Sequence, residues 1–326
     1  MKTSLCLLAA LSLAAIVSAA SNNPFIGRWA LTLPEGRAGW LGVEEKDGAL
    51  QASVLWGGGS VLPAAGAKVE GNRLIVTRIQ KPKGKDGKET IITETITATL
   101  DGDAMKLTTV KRNQAGKESG QAEFTGKRIP PLPARPNLKK VKFGKPIALF
   151  NGKDLSGWKT IGDNSGWSVK GGVLDNNAPQ EEGKPHKRYA NLRTEREFTD
   201  FNLSLEVRVP KNGNSGVYLR GIYEVQVADS CGKPLDSHNM GGIYSRITPA
   251  VAAEKPDGEW QTMNMTLVDR HATVILNGKT IIDNQPLLGV TGGALTSDEF
   301  KHGPIFLQGD HTSVSYRNIV LRPVVK

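Results

Sequence analysis

Cysteine is almost missing from this sequence. Of 326 residues only two are Cys, and Cys6 lies inside an apolar stretch at the very start. Loss of that stretch would leave Cys231 alone, so no intramolecular disulfide is available and a buried core must carry the stability. Cys231 has no His close by in sequence and reads as a plain loop cysteine beside Gly232, Lys233 and Pro234, not as a catalytic thiol. After the first twenty residues there is no apolar run of about 18 residues, which excludes a membrane-spanning helix from the mature chain. No H-x-H, HExxH or CxxC spacing occurs, so no dedicated zinc site is indicated. Long helical periodicity is also lacking, and aromatics make up only 6% of the chain.

What is present is globular in kind. A composition of 38% hydrophobic and 23% charged residues excludes wholesale disorder, and the 37 Gly and 18 Pro follow no collagen-like period. The length exceeds what one core comfortably fills, so two domains are expected. Met1-Lys2, the apolar run from Leu5 to Val17 and the small residues Ser18, Ala19 and Ala20 have the pattern of a cleaved signal peptide over residues 1–20. Export to the periplasm or the medium is the expectation. Cys6 falls within the run and not just after it, which argues against a lipid anchor.

The net charge of +10 divides unevenly. Residues 21–140 hold 19 Lys/Arg against 12 Asp/Glu, and residues 141–326 hold 22 against 20. The excess therefore belongs to the first half, notably Lys81, Lys83, Lys85 and Lys88, interleaved with Gly84, Asp86 and Gly87 as in an exposed hairpin loop. Aromatics do not alternate with these lysines, so nucleic acid is not the expected partner. An electrostatic contact of the basic N-terminal domain with a cell surface or anionic glycan stays open.

Between Arg128 and Pro146 the chain reads RIPPLPARPNLKKVKFGKP. Proline at this density cannot join a sheet ladder and favours an extended spacer. The expected organisation is a small β domain at 22–129, a Pro-rich linker at 130–145 and a larger domain at 146–326. Arg73–Ile79 and ETIITETITATL at 89–100 are rich in β-branched residues and separated by Gly-Asn and Asp-Gly pairs, which predicts an up-and-down barrel or small sandwich. Gly27-Arg28-Trp29 resembles the opening of lipocalin-like barrels, and a binding or spacer role is expected of this domain. In the larger domain Leu203, Leu205, Val207 and Val209 alternate along one strand, and Asn277-Gly278 marks a hairpin turn. Many antiparallel strands over some 180 residues predict a jelly-roll sandwich of the concanavalin A-like lectin and glucanase kind, so the fold class is all-β.

Candidate chemistry gathers in three places. In GNSGVYLRGIYEVQVADS (213–230), alternation puts Val225 and Val227 on one face and Tyr218, Arg220, Glu224 and Gln226 on the other. That row resembles the floor of a polar groove more than a solvated face. Gln308-Gly309-Asp310-His311 places Gln308 and Asp310 on one face opposite Leu307, with His302 upstream. The loop DSCGKPLDSHNMGGIY (229–244) carries Asp229, Asp236, His238 and Tyr244, and is long and polar enough to rim a groove. His238 and His311 stand beside carboxylates and are the functional candidates among the histidines. His271 and His186 read as surface turn or loop residues, Trp158 and Trp167 as core, and Trp260 or Tyr244 as a stacking platform for a sugar.

An ordered set of motifs resembles the family of 3-keto-disaccharide hydrolases over residues 146–326. It comprises LFNGKDLSGW (149–158), GWSVKGGV (166–173), GNSGVYLRG (213–221), YEVQVAD (223–229), GEW (258–260), VILNG (274–278) and YRNI (316–319). The resemblance implies a concanavalin-like jelly roll that cleaves glycosidic bonds in sugars already oxidised at C3. An ordinary retaining glycosidase needs two carboxyl groups about 5–5.5 Å apart, which jelly-roll glucanases supply as E-x-D-x-x-E; here the strand reads Glu224-x-Gln226-x-x-Asp229. A 3-keto sugar needs less. Its carbonyl acidifies the C2 hydrogen, so one base, one acid and an electrophile suffice for elimination at C1, and water then adds back. The catalytic candidates are Glu224, His238, His311 and Asp229, with Glu224 or Asp229 as acid or as ligand to a possible divalent metal ion, and His311 or His238 as base. Tyr218, Arg220, Gln226, Tyr244, Trp260, Gln308 and Asp310 are the substrate-binding candidates for an oligosaccharide or glycoside. The alternative is a non-catalytic, lectin-like carbohydrate-binding surface protein, which would need aromatics and amides but no His-carboxylate cluster.

Overall fold

The computed structural model of the protein describes residues 23–83, 87, 89–181 and 183–325. The expected leader and part of the lysine loop (84–86 and 88) lie outside the described residues. Among the described residues the chain is all-β, as expected, and helix is confined to the 3-10 turns Pro34–Gly36 and Leu138–Lys140.

The first sheet consists of β1 (Gly27–Thr32), β2 (Ala38–Lys46), β3 (Ala49–Trp56), β4 (Leu62–Pro63), β5 (Gly66–Glu70), β6 (Arg73–Gln80), β7 (Ile92–Asp101), β8 (Ala104–Asn113) and β9 (Glu118–Ile129). Its order is β4-β3-β2-β1-β9-β8-β7-β6-β5. The first and last strands pair with each other, and the two edges are neighbours in the chain. At the seam Ala64 N donates to Ala52 O and Ala65 N to Thr77 O, both at 2.8 Å, so the curled sheet is tied back onto itself. Alternating residues such as Leu31, Leu41, Val54, Leu74, Ile96 and Leu107 fill its interior, each worth about 1.5–3 kcal/mol when fully buried. Glu94 is buried as well. It accepts from Arg78 Nη1 (2.6 Å), Gln80 Nε2 (2.8 Å) and Thr109 Oγ1 (2.8 Å), which is what a buried carboxylate requires.

The second part is a two-layer antiparallel sandwich. One layer runs β13 (Trp167–Lys170), β14 (Val173–Asn176), β23 (Val314–Val325), β16 (Phe201–Arg208), β19 (Gln261–Val268), β20 (His271–Leu276) and β21 (Lys279–Pro286), with β10 (Lys142–Phe143) and β11 (Ile147–Ala148) also paired to β23. The other runs β12 (Trp158–Ile161), β15 (Asn191–Thr194), β22 (Phe306–Leu307), β17 (Asn214–Leu219) and β18 (Tyr223–Ala228). Burial along β16 alternates strictly, so Leu203, Leu205 and Val207 enter the core between the layers. Trp158 and Trp167 are buried there too, and their Nε1 atoms donate to the Leu149 and Ala190 carbonyls at 2.7 and 2.8 Å.

His271 corrects an expectation. It is 5% exposed and opens β20. The turn falls one step earlier, on Asp269 and Arg270, both with positive φ (46° and 58°), and this draws His271 into the strand.

The two parts are welded together. Trp40, Leu55 and Ile129 of the first share one buried cluster with the core of the second, and the Arg246 guanidinium lies 4.2 Å over the Trp40 ring. The proline-rich segment lies along the second part. Its prolines lack N–H groups but keep free carbonyls, and Arg270 Nη2 and Asn284 Nδ2 donate to those of Pro131 and Pro136, each at 2.8 Å.

Candidate functional site

The site is built on the hairpin β17–β18. Tyr218 pairs with Glu224 and Gly216 with Gln226, while Val217, Leu219, Val225 and Val227 turn to the core and are fully buried. The opposite face forms the floor of a pocket of about 160 Å³ lined by Gly58, Gly59, Asn214, Tyr218, Glu224, Tyr244, Gly292, Gly293, Gln308, Asp310 and His311.

Glycine makes room for the carboxyl. A Cβ at Gly216 would stand 2.3 Å from Glu224 Oε1, and one at Gly293 2.7 Å from Tyr218 Oη. Glu224 is only 3% exposed. Burial pushes its carboxyl up to about 8, the Tyr218 hydrogen bond opposes this, and the Asp310 charge adds to it. The hydrogen bonds agree with a protonated group. Tyr218 Oη lies 2.9 Å from Glu224 Oε2 and 2.8 Å from the Gly292 carbonyl, and one hydroxyl proton serves only one acceptor. A protonated Glu224 donates to Tyr218 Oη, and Tyr218 donates to Gly292. The amide orientation of Gln226 that satisfies its neighbours donates to Glu224 Oε1 at 3.3 Å and to Ser215 O at 3.2 Å.

The segment after β22 brings in the second group. The chain leaves the sheet after Leu307, so Gln308 and Asp310 do not share a strand, yet both face the pocket. Gln308 N donates to Gly216 O (2.9 Å), Ser215 Oγ to Gln308 O (2.7 Å) and Thr312 Oγ1 to Asn214 O (3.0 Å), so the turn is laced to β17. Gly309 packs so closely that a Cβ there would lie 2.3 Å from Ala190 O. Asp310 Oδ1 and His311 Nδ1 stand 3.2 Å apart; the pair is not aligned for a hydrogen bond, and among the described residues neither buried atom has another partner, nor does Gln308 Oε1. The Asp310 carboxylate raises His311 above its ordinary value against the effect of burial. Burial would raise Asp310, but His311, with His186 adding to it, holds it low. The His186 ring meets His311 edge-on at 5.6 Å.

Of the remaining candidates, Tyr244 is brought in by backbone pairing beside β18, its N–H donating to Glu224 O at 3.0 Å. His238 stands behind it, ring to ring at 4.7 Å, with Nδ1 on Asp236 Oδ1 and Nε2 2.9 Å from Ser60 Oγ; it does not line the pocket. Arg220 is not brought to the site. β17 ends at Leu219, Arg220 turns through a positive φ of 56°, and its guanidinium donates to the carbonyls of Glu299 (Nη2, 2.6 Å) and Lys301 (Nε, 3.0 Å). Asp229 accepts from Asn212 N at 2.9 Å away from the pocket. Trp260 is held between Arg208 and Arg317, at 4.8 and 4.1 Å, and is no platform for this pocket. Among the described residues no group of three or more His, Cys, Asp and Glu is arranged to hold a metal ion. Sequence reasoning passed over Asn214, which lies within the quoted GNSGVYLRG motif, and the pairs Gly58-Gly59 and Gly292-Gly293, whose sign was a run of adjacent glycines.

Fold and site together define an all-β jelly-roll protein with a buried acid and a His-Asp pair in one polar pocket. Residues 145–322 match the 3-keto-alpha-glucoside-1,2-lyase-like domain, and the chain belongs to that family. A 3-keto-disaccharide hydrolase of Bacteroides thetaiotaomicron is 27% identical over 143 residues, covering 35% of this chain and 49% of that protein, so the match spans about half the length of that relative. Two solved candidate glycosyl hydrolases of Parabacteroides distasonis are similar in structure. One is 30% identical over 60% of this chain and 93% of its own with a TM-score of 0.46, and the other 21% identical over 55% and 94%, also at 0.46.

Proposed function

We propose that the protein is a glycoside-cleaving enzyme acting on 3-keto-glycosides, with Glu224 as acid and His311 as base. The observation that supports this most strongly is the placement of a carboxyl held protonated near neutral pH in the same pocket as a histidine paired with an ionised aspartate. A carboxyl that burial keeps protonated and a histidine whose neutral ring accepts a proton in the same pH range are the ordinary arrangement for acid–base work. The family, and the relative that bears the name of a 3-keto-disaccharide hydrolase, supply the substrate class.

In this reading His311, oriented by Asp310, takes the C2 proton, and the C–H electron pair moves toward the C3 carbonyl. The resulting enolate re-forms the carbonyl as the C1=C2 bond forms and the glycosidic C1–O bond breaks. Glu224 gives its proton to the leaving oxygen, and the Tyr218 hydroxyl turns to the new carboxylate. Water then adds: Glu224 takes a proton as hydroxide joins C1, and the His311 imidazolium, which exchanges its proton with solvent as the aglycone leaves and water enters, protonates C2. Both groups end as they began. The apolar run at Leu5–Val17 and the small residues after it support export of the chain.

The test incubates the purified protein, with and without EDTA, with matched native and 3-keto disaccharides and follows monosaccharide release by mass spectrometry. Release from the keto member alone is expected. Release from neither, with tight binding of either, would replace the enzyme by a carbohydrate-binding protein.

A further inference from the structure

The pocket belongs to both halves of the chain. The segment joining β3 to β4 in the first part, Gly57-Gly58-Gly59-Ser60, arches onto the second part and supplies Gly58 and Gly59 to the pocket lining. It is fixed at several points: Gly293 N donates to Gly57 O (3.2 Å), Val61 N to Ser245 Oγ (2.9 Å), and Ser60 Oγ pairs with His238 Nε2 (2.9 Å). The backbones touch, since a Cβ on Gly292 would lie 2.1 Å from Gly59 O.

Gly57 and Gly59 have positive φ of 78° and 79°, where a side chain is strained. Gly58 differs. Its φ is not in that region, and a Cβ there would meet nothing within 4 Å, so a side chain would fit the backbone at a position that lines the pocket. At the far end of the arch, the Asp236 carboxylate accepts from His238 Nδ1–H, which in the neutral ring leaves Nε2 to accept from Ser60 Oγ. His238 in turn backs the Tyr244 ring in the lining.

We propose that residues 57–60 of the first domain are part of the substrate site, with Gly58 setting the size of the group that enters and Ser60, through His238, positioning Tyr244. The class of substrate rests on the reading above; the arch as a wall of the site does not.

The experiment uses full-length Gly58→Phe and Gly58→Leu. Modification of His311 by diethyl pyrocarbonate is followed by peptide mass spectrometry in the free protein, with His302, outside the pocket lining, as internal reference. Both variants should slow His311 at least threefold and leave His302 unchanged, and Gly58→Phe should raise KM for a 3-keto disaccharide at least tenfold with kcat within threefold of wild type. A wild-type rate at His311 in a variant that melts like wild type would overturn the proposal. A slowed His311 in a protein that turns over no 3-keto glycoside would uphold the arch and reject the enzyme reading. Ser60→Ala tests the other end: KM should rise threefold or more with little change in melting temperature, and an unchanged KM would remove Ser60 from the proposal.

Discussion

Tyr218 and Glu224 face each other across the β17–β18 pair, Oη to Oε2 at 2.9 Å, and among the described residues the hydroxyl has one other partner, the Gly292 carbonyl. Two oxygens that accept and one hydroxyl between them leave a proton to be found, and burial of Glu224 supplies it.

Glu224→Gln should therefore abolish turnover and stabilise the fold. The sign follows from linkage. With a folded pKa of about 8 against an ordinary 4.5, the unfolded chain loses the proton first, so stability falls as pH rises between those values. At pH 7 the cost is on the order of 3 kcal/mol, which an amide that still donates to Tyr218 would not incur. Melting curves should show the variant several degrees above wild type at pH 7 and level with it at pH 4. A variant less stable than wild type at pH 7 would refute a protonated Glu224.

The pH profile of kcat/KM should be a narrow bell. The base must be neutral, so the rate rises as pH passes the His311 pKa, which Asp310 lifts above 6.5. The acid must be protonated, so it falls again near 8. Asp310→Asn should move the rising limb to lower pH. A rising limb that stays in place would take His311 out of the base role.

Gly216→Ala should lower kcat at least a hundredfold while the chain still folds. The added methyl would sit 2.3 Å from Glu224 Oε1, and the carboxyl side chain, not the strand, must move. Displacements of about 1 Å cost that much in catalysis. Wild-type kcat in this variant would show that the position of Glu224 does not matter.

Trp40→Ala should loosen the junction of the two parts. Its ring stacks under Arg246 and is 7% exposed, so its loss costs about 3–5 kcal/mol. Calorimetry should show two transitions where wild type shows one. A single transition at the wild-type temperature would mean the two parts do not depend on this contact.

Strand patterns were legible because alternation is local: Leu203, Leu205 and Val207 declare a buried face without knowledge of what they pack against, and Asn277-Gly278 declares its turn. The polar row on β17–β18 was legible for the same reason, as far as Tyr218, Glu224 and Gln226. Alternation failed at Arg220, where the strand ends one residue sooner and a left-handed turn carries the side chain to other carbonyls. It failed at His271 because a two-residue turn can be placed one step early or late in a polar stretch. Trp260 read as a sugar platform because stacking on Arg208 and Arg317 leaves no local trace. The arch at Gly58–Ser60 was hidden for a deeper reason, since contacts across some 180 residues of sequence carry no periodicity at all.

The central claim is that cleavage proceeds through loss of the C2 proton, and deuterium reads that step directly. A 3-keto disaccharide is turned over in D2O, and the released 3-keto monosaccharide is examined by mass spectrometry and NMR, with product alone as the exchange control. Elimination followed by hydration predicts one deuterium at C2 beyond the control, formed at the rate of cleavage and lost in His311→Ala together with turnover. Cleavage with hydrogen retained at C2 would contradict the account and return the pocket to ordinary displacement at C1.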